Sequence, residues 1–426
     1  MSMIRQSSMG AGFLLCAGLA AAQPTFMPAT SVATGQRPGG VAFGDFDGDT
    51  IVDMVYSNDA PDTVTIRFGT GGGVFGAPVN FFTGAGTGPD SFAVADFDGD
   101  LDLDVAVVLK GIDSVAIMTN TAGVLSVSGQ VPTGSNPRRI VATDIDGDGD
   151  ADLLTANRDS NTVSILMNTN GAFSASSLSA GDRPVSAIGA DLDGDGDQEI
   201  IVSDNRGRAV LVFPNMGGAF GAPTSIAVSP IFRPEGLDSA DIDGDGDTDV
   251  LVALSDTAVG AVGLMINTGG VLAAPVETPS GGTNADSITA GDLDGDGDLD
   301  VAVTNQDTNT IGILENNGGA LGLVGTLATE ARPQRIARAD VNGDNKPDLA
   351  TANRDANTIS LFMNNTAGGG VCLADVNGDG VLNANDFTAW IAAFNMSAPE
   401  CDQNGDGSCD PSDFNAWIAN FNAGCP

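Results

Sequence analysis

The chain has 426 residues, with 56 acidic residues against 16 basic ones, no histidine and a net charge of −40. That charge excludes a nucleic-acid backbone as partner, and the missing imidazole excludes Ser-His-Asp and Cys-His catalysis and histidine-ligated zinc. A hydrophobic fraction of 42% is too high for a disordered polyanion, and the length suits several domains or one large repeat array.

Residues 1–22 have the pattern of a secretory signal. Arg5 supplies the charge, Met9 to Leu19 the apolar stretch, and Ala20-Ala21-Ala22 a small-residue cleavage site before Gln23. The apolar run is short for a bilayer span, Leu15 before Cys16 argues against a lipoprotein, and no other segment reads as a membrane span. The expected location is therefore secreted, extracellular or at the cell surface.

A nine-residue pattern, Asp-x-Asp-Gly-Asp-x-x-x-Asp/Glu, opens at Asp45, Asp96, Asp144, Asp191, Asp241, Asp292 and Asp340. Acids at alternate places around a glycine are what an oxygen-seeking cation needs from a short loop. The near-even step, about 50 residues, makes each loop part of one repeated unit. The seven loops hold 32 of the acids and two C-terminal loops 7 more, leaving 17 elsewhere. Nine divalent ions would offset nearly half of the net charge, so the acidity reads as metal demand.

Around each loop the same signals recur. A short apolar stretch such as 186–190 enters it and another such as Ile200-Ile201-Val202 leaves it. A polar turn follows (Asn161, Asn309 and Asn357 occupy like positions), then an alternating run such as 162–167, a Gly-rich turn, and a looser fourth stretch ending near Arg-Pro. Four short strands in about 50 residues, without helical periodicity, predict a propeller blade, and seven units predict a closed all-β seven-bladed propeller over 23–365. The seventh unit lacks a fourth strand, and residues 25–34 supply one, so the N-terminal strand is expected to close the ring and remove an open edge.

These loops, with Phe75-Gly76-Ala77-Pro78, Phe220-Gly221-Ala222-Pro223 and the degenerate Leu272-Ala273-Ala274-Pro275, resemble FG-GAP/VCBS-type calcium repeats, as in integrin α-subunit propellers. The resemblance implies ligands at places one, three, five and nine plus the carbonyl at seven. In the first loop these are Asp45, Asp47, Asp49, Ile51 and Asp53; in the second, Asp96, Asp98, Asp100, Asp102 and Asp104. The third has Asp144, Asp146, Asp148, Asp150 and Asp152, and the fourth Asp191, Asp193, Asp195, Asp197 and Glu199. The fifth has Asp241, Asp243, Asp245, Asp247 and Asp249, the sixth Asp292, Asp294, Asp296, Asp298 and Asp300, and the seventh Asp340, Asn342, Asp344, Lys346 and Asp348. All-oxygen ligands favour calcium over magnesium.

A Gly-rich linker, 366–371, precedes a module over 372–426. Two near-identical segments, opening at Asp375 and Asp402, follow the EF-hand template: Asp375, Asn377, Asp379, Val381, Asn383 and Asp386, then Asp402, Asn404, Asp406, Ser408, Asp410 and Asp413. A helix is expected after each, with Phe387, Trp390, Ile391 and Phe394 on one apolar face and Phe414, Trp417, Ile418 and Phe421 on the other. The tryptophans are expected in the core. Cys372, Cys401, Cys409 and Cys425 suggest two disulfides; Cys401–Cys409 with Cys372–Cys425 would tie the ends together, and zinc is the alternative. Loop-helix twice, ending in Gly424-Cys425, resembles a type I dockerin and implies two further calcium ions and a cohesin-like partner. Ala384-Asn385 and Pro411-Ser412 depart from the Ser-Thr pair of many dockerins at the recognition positions.

The remaining acids, Glu235, Asp238, Glu277, Glu315 and Glu330 among them, form no catalytic motif, and the cysteines sit in the terminal module. The expectation is a monomeric propeller, not an enzyme, that binds a protein or carbohydrate. The alternative is a polysaccharide-degrading glycosidase or lyase using a carboxylate pair or calcium. Arg37, Arg183, Arg233 and Arg332, each before a proline, are expected to bridge blades or balance local acid, with an acidic ligand as the second reading.

Overall fold

The computed structural model describes residues 23–366, 376, 384–396, 401, 413–414 and 417–418. Over Gln23–Thr366 each repeat folds into one four-stranded antiparallel sheet, and seven such sheets form the ring. In the third blade the strands are Pro137–Thr143, Asp152–Asn157, Thr162–Met167 and Ser174–Ser179, hydrogen-bonded in that order. First strands of neighbouring blades lie side by side all the way round, Gln36–Gly44 of the first against Pro333–Ala339 of the seventh included.

The seventh sheet contains Pro333–Ala339, Asp348–Asn353 and Thr358–Phe362, and takes its outer strand from Thr30–Ala33. Thr30 pairs with Leu361 and Ala33 with Thr358. The two ends of the propeller sequence thus share one blade. Thr366, a linker residue by its sequence, belongs to this closure. It is buried, its hydroxyl accepts the Thr25 N–H at 2.8 Å, and its own N–H bonds Asn364 Oδ1.

Burial peaks at the second strands and falls toward the outer edge of each blade, and the sequence of each strand follows it. Second strands such as Asp104–Leu109 are buried at every residue, because sheet neighbours cover both edges and adjacent blades both faces. After the opening acid they read as short, largely apolar stretches rather than as an alternation. The fourth strand Ser174–Ser179 has an open edge, and there only Leu178 is partly buried. No blade encloses a core of its own: the buried clusters join adjacent blades. Val55, Val64 and Ile66 of the first blade pack on Val105, Val107 and Leu109 of the second. Val41 and Tyr56 pack on Ile359 and Leu361 of the seventh. The ring is held by its blade interfaces.

Each first strand opens with a bulge at the same place. Register slips between Pro38 and Val41, Pro89 and Phe92, Pro137 and Ile140, Pro184 and Ala187, Pro234 and Leu237, Ala285 and Ile288, and Pro333 and Ile336. A bulge bends the strand and re-aims its side chains.

In the C-terminal region, Ala384–Met396 is an α-helix. Phe387, Trp390, Phe394, Phe414 and Trp417 stack with ring centroids 5.1–6.3 Å apart. Trp390 and Trp417 are buried, but Ile391 and Ile418, expected on the apolar faces, are exposed: the aromatic rings occupy the contact surface. Asp413 is buried. The other loop positions (Asp375, Asn377, Asp379, Val381, Asn383, the side chain of Asp386, Asp402, Asn404, Asp406, Ser408 and Asp410) lie outside the described residues, as do Cys372, Cys409, Cys425, Phe421 and residues 1–22. Among the described residues no helix is long and apolar enough to cross a membrane.

Candidate metal centres

Each acidic loop joins the first strand of its blade to the second. Its first carboxylate folds it: Oδ1 accepts the N–H of the glycine at place four at 2.6–2.8 Å, and Oδ2 the N–H at place six at 2.7–3.2 Å. The fourth residue is left-handed in every loop, for example φ +77° at Gly48 and +82° at Gly343, a conformation natural to glycine. Place six is left-handed too, and three loops put Thr50, Leu101 or Asn345 there.

In at least five of the loops the first, third and ninth carboxylates can each place an oxygen within 4.8 Å of the others: Asp45, Asp47 and Asp53; Asp96, Asp98 and Asp104; Asp144, Asp146 and Asp152; Asp191, Asp193 and Glu199; Asp241, Asp243 and Asp249. The fifth-place acids, expected as ligands, stand outside these groups. Asp49, Asp100, Asp148, Asp195, Asp245, Asp296 and Asp344 each accept the N–H at place seven with one oxygen, at 2.8–3.1 Å. Seventh-place side chains turn sideways: Asp102, Asp150, Asp197, Asp247 and Asp298 accept an N–H from the turn after the third strand, and Lys346 Nζ donates to the Thr366 carbonyl at 2.5 Å.

The ninth-place acid begins the second strand and is buried in all seven blades: Asp53, Asp104, Asp152, Glu199, Asp249, Asp300 and Asp348. One oxygen accepts the N–H at place two (2.8–3.1 Å), the other an N–H beyond the third strand (2.7–3.2 Å). Burial pushes all seven up despite these bonds, Asp104 and Asp348 to about 6 and Asp300 to about 7. Asp294 is pushed up to about 6 by burial and by the neighbouring Asp296; its Oδ2 has no hydrogen-bond partner. Clustered carboxylates, some desolvated and one with an orphaned oxygen, fit a bound cation, and oxygen-only donors suit a hard one.

Six asparagines that no motif marks complete each site. Asn120, Asn168, Asn215, Asn267, Asn316 and Asn364 offer their N–H to the ninth carboxylate and their Nδ2 to the second-place carbonyl of the preceding blade, at 2.6–3.1 Å. Between the seventh and first blades Gly69 stands in the asparagine's place, and the Gly73 N–H bonds the Val341 carbonyl instead. The available signal was an asparagine recurring at a nearly fixed distance beyond the last acid of each loop, as Asn120 does after Asp104 and Asn168 after Asp152.

At the other end of the first strands, the bulges bring Asp90, Arg138, Arg139, Glu235, Asp286 and Arg335 to the ring axis. Arg139 of the third blade reaches Asp286 of the sixth (3.1 Å), which also meets Arg335 (3.6 Å); Arg138 meets Asp90 (3.5 Å). Glu235 accepts from Asn205 at 2.8 Å and is pushed up to about 7 by burial and by Asp286. The other acids weighed from the sequence do not gather there: Asp238 accepts the Ala290 N–H, Glu277 the Ser229 N–H and Glu330 the Thr358 hydroxyl. Arg37, Arg183 and Arg332 link blades through the backbone, donating their N–H to Asn357, Asn161 and Asn309 from left-handed conformations; Arg233 is exposed.

A family model described as FG-GAP-like repeat matches residues 45–107, 144–202, 191–252, 241–303 and 292–351, each stretch running from one acidic loop past the next. No curated protein sequence matches the chain. Similar solved structures include BBS1N in complex with ARL6DN (TM-score 0.57, 13% identity, 81% of this chain and 99% of that one). Hydrazine synthase of Kuenenia stuttgartiensis gives 0.55, 14%, 84% and 100%. A putative 6-phosphogluconolactonase from Bacteroides uniformis gives 0.54, 16%, 80% and 96%. At these identities the likeness is one of fold.

Proposed function

As the chain belongs to the FG-GAP-like repeat family, we propose that it is an exported, calcium-braced propeller that binds a protein or carbohydrate and is anchored through a dockerin-like module to a cohesin-like partner. The observation that carries the calcium assignment is the ninth-place carboxylate, buried in all seven blades and in at least five of them clustered with the first and third acids. Calcium would supply the charge that these groups lack. The chain supplies the rest: the first carboxylate curls the loop, and the ninth ties it to the second strand and the asparagine turn. Residues so fully committed to one loop leave ligand binding to the rest of the ring.

The aromatic cluster around Trp390 and Trp417, the helix Ala384–Met396, and Cys401, which is disulfide-bonded, support the attachment module. Pulldown with the full chain in calcium should recover a cohesin-like partner, and chelation should release it; recovery that ignores calcium contradicts the anchoring reading. Glycan and matrix-protein arrays test the ring. A second reading, hydrolysis by a carboxyl pair, is favoured by Glu235 beside Asp286, but two arginines hold Asp286. Reducing-sugar release from a polysaccharide panel without array binding would replace the binding reading with that one.

A further inference from the structure

On the ring axis, beside the bulges, lies a partly open cavity of about 150 Å³. Phe92, Ile140, Leu237 and Ile336 give it apolar walls, and Arg139 and Arg335 line it as well. Its charge is unbalanced. Arg139 and Arg335 share one carboxylate, Asp286. In the surrounding network five cations (Arg37, Lys110, Arg138, Arg139 and Arg335) meet three carboxylates (Asp59, Asp90 and Asp286), and Glu235, pushed up to about 7, adds at most part of a fourth negative charge.

Arg139 is only 7% exposed, and the buried Nε–H groups of Arg139 and Arg335 have no hydrogen-bond partner. A buried charged donor without an acceptor is costly, so paired donors beside a cavity point to an acceptor from outside the chain. Arg158 and Arg183 make no ion pair among the described residues. Burial lowers the Arg158 pKa, and the neighbouring Arg183 and Arg138 add to this against Glu235 and Asp159. In a protein of net charge −40 such a cationic patch is local and built.

We propose that the axial cavity binds a small oxyanion, the carboxylate or sulfate of an acidic sugar that ends or branches from a glycan. The inference rests on the binding role proposed above and names its ligand class. A planar guanidinium fork matches either oxyanion. The cavity holds roughly one sugar-sized group, which excludes a folded protein surface, and the acidic remainder of the molecule repels a long polyanion laid across it.

Calorimetric titration of the full chain in calcium decides this, with four probes: a uronate trisaccharide, a sulfated trisaccharide, a neutral trisaccharide and inorganic sulfate. A charged trisaccharide should bind, more weakly as salt rises, and the neutral one should not. R335Q should lower that affinity at least tenfold; R335K keeps the charge, lacks the Nε–H and should recover only part of it. If R335Q unfolds, R139K, which keeps the charge of the other cavity-lining arginine but lacks its Nε–H, should show a loss of about threefold at unchanged Tm. Sulfate binding without either charged trisaccharide would overturn the glycan source, and no anion binding at all would overturn the site. Neutral-sugar binding unchanged in R335Q would overturn this assignment and leave the binding-module reading standing.

Discussion

Asn168 joins three parts of the molecule. Its Nδ2 donates to the Phe97 carbonyl in the preceding blade and to the Ala151 carbonyl in its own, and its Oδ1 accepts the Gly171 N–H. Asn168→Ala strands these buried groups and should cost about 2–4 kcal/mol, read by urea unfolding; a change within a few tenths would mean the latch is idle. Leu101 makes the opposite case. It is 90% exposed at φ +76°, where a side chain costs about 1–2 kcal/mol relative to glycine. Leu101→Gly, after glycine's greater entropy loss, should raise stability by about 0.5–1 kcal/mol. A fall would show that the leucine makes contacts that outweigh its strain. Asn168 is hard to see in the sequence because a single amide, a whole hairpin away from the acid it serves, has no local pattern. Asp152, its carboxylate partner, is plain because it ends a nine-residue motif.

The acidic loop gives a pH signature whose sign depends on calcium. In chelator, the ninth-place acids have folded-state pKa values above their unfolded ones. Their contribution is therefore fully present below about pH 4 and is lost as pH rises through about 6 for Asp104 and Asp348 and about 7 for Asp300. Calcium-free protein should thus melt at progressively lower temperature from pH 4 to pH 7.5. In saturating calcium the trend should reverse, because the ion binds the ionised form. Thermal melts across that range check both; parallel profiles with and without calcium would deny that these carboxylates meet the ion. The loop is only partly legible in the sequence. Acids alternating with glycine mark where it lies, whereas spacing does not express which acids draw together: Asp47 and Asp49 both accept an N–H two residues on, yet only Asp47 joins the cluster.

Ring closure depends on two segments from opposite ends of the propeller sequence, Thr30–Ala33 and Thr358–Phe362. Deleting residues 23–34 exposes the third strand of the seventh blade as an edge and should lower Tm and promote self-association, read by calorimetry and light scattering; a monomer of unchanged Tm would mean closure lies in the first strands alone. The seven blades are legible because each repeats one apolar and turn pattern. The axial surface is not: its bulge residues, Gly39-Gly40 in one blade and Arg138-Arg139 in another, follow no repeat, and only the register slip puts them in one place. Calcium bracing is the property proposed for the whole ring. At tenfold excess over Kd each site adds roughly 1.4 kcal/mol, so seven add about 10. Scanning calorimetry of the full chain in millimolar calcium and in chelator measures this directly. The transition should rise by roughly 10–20 °C in calcium, and superimposable transitions would contradict the account.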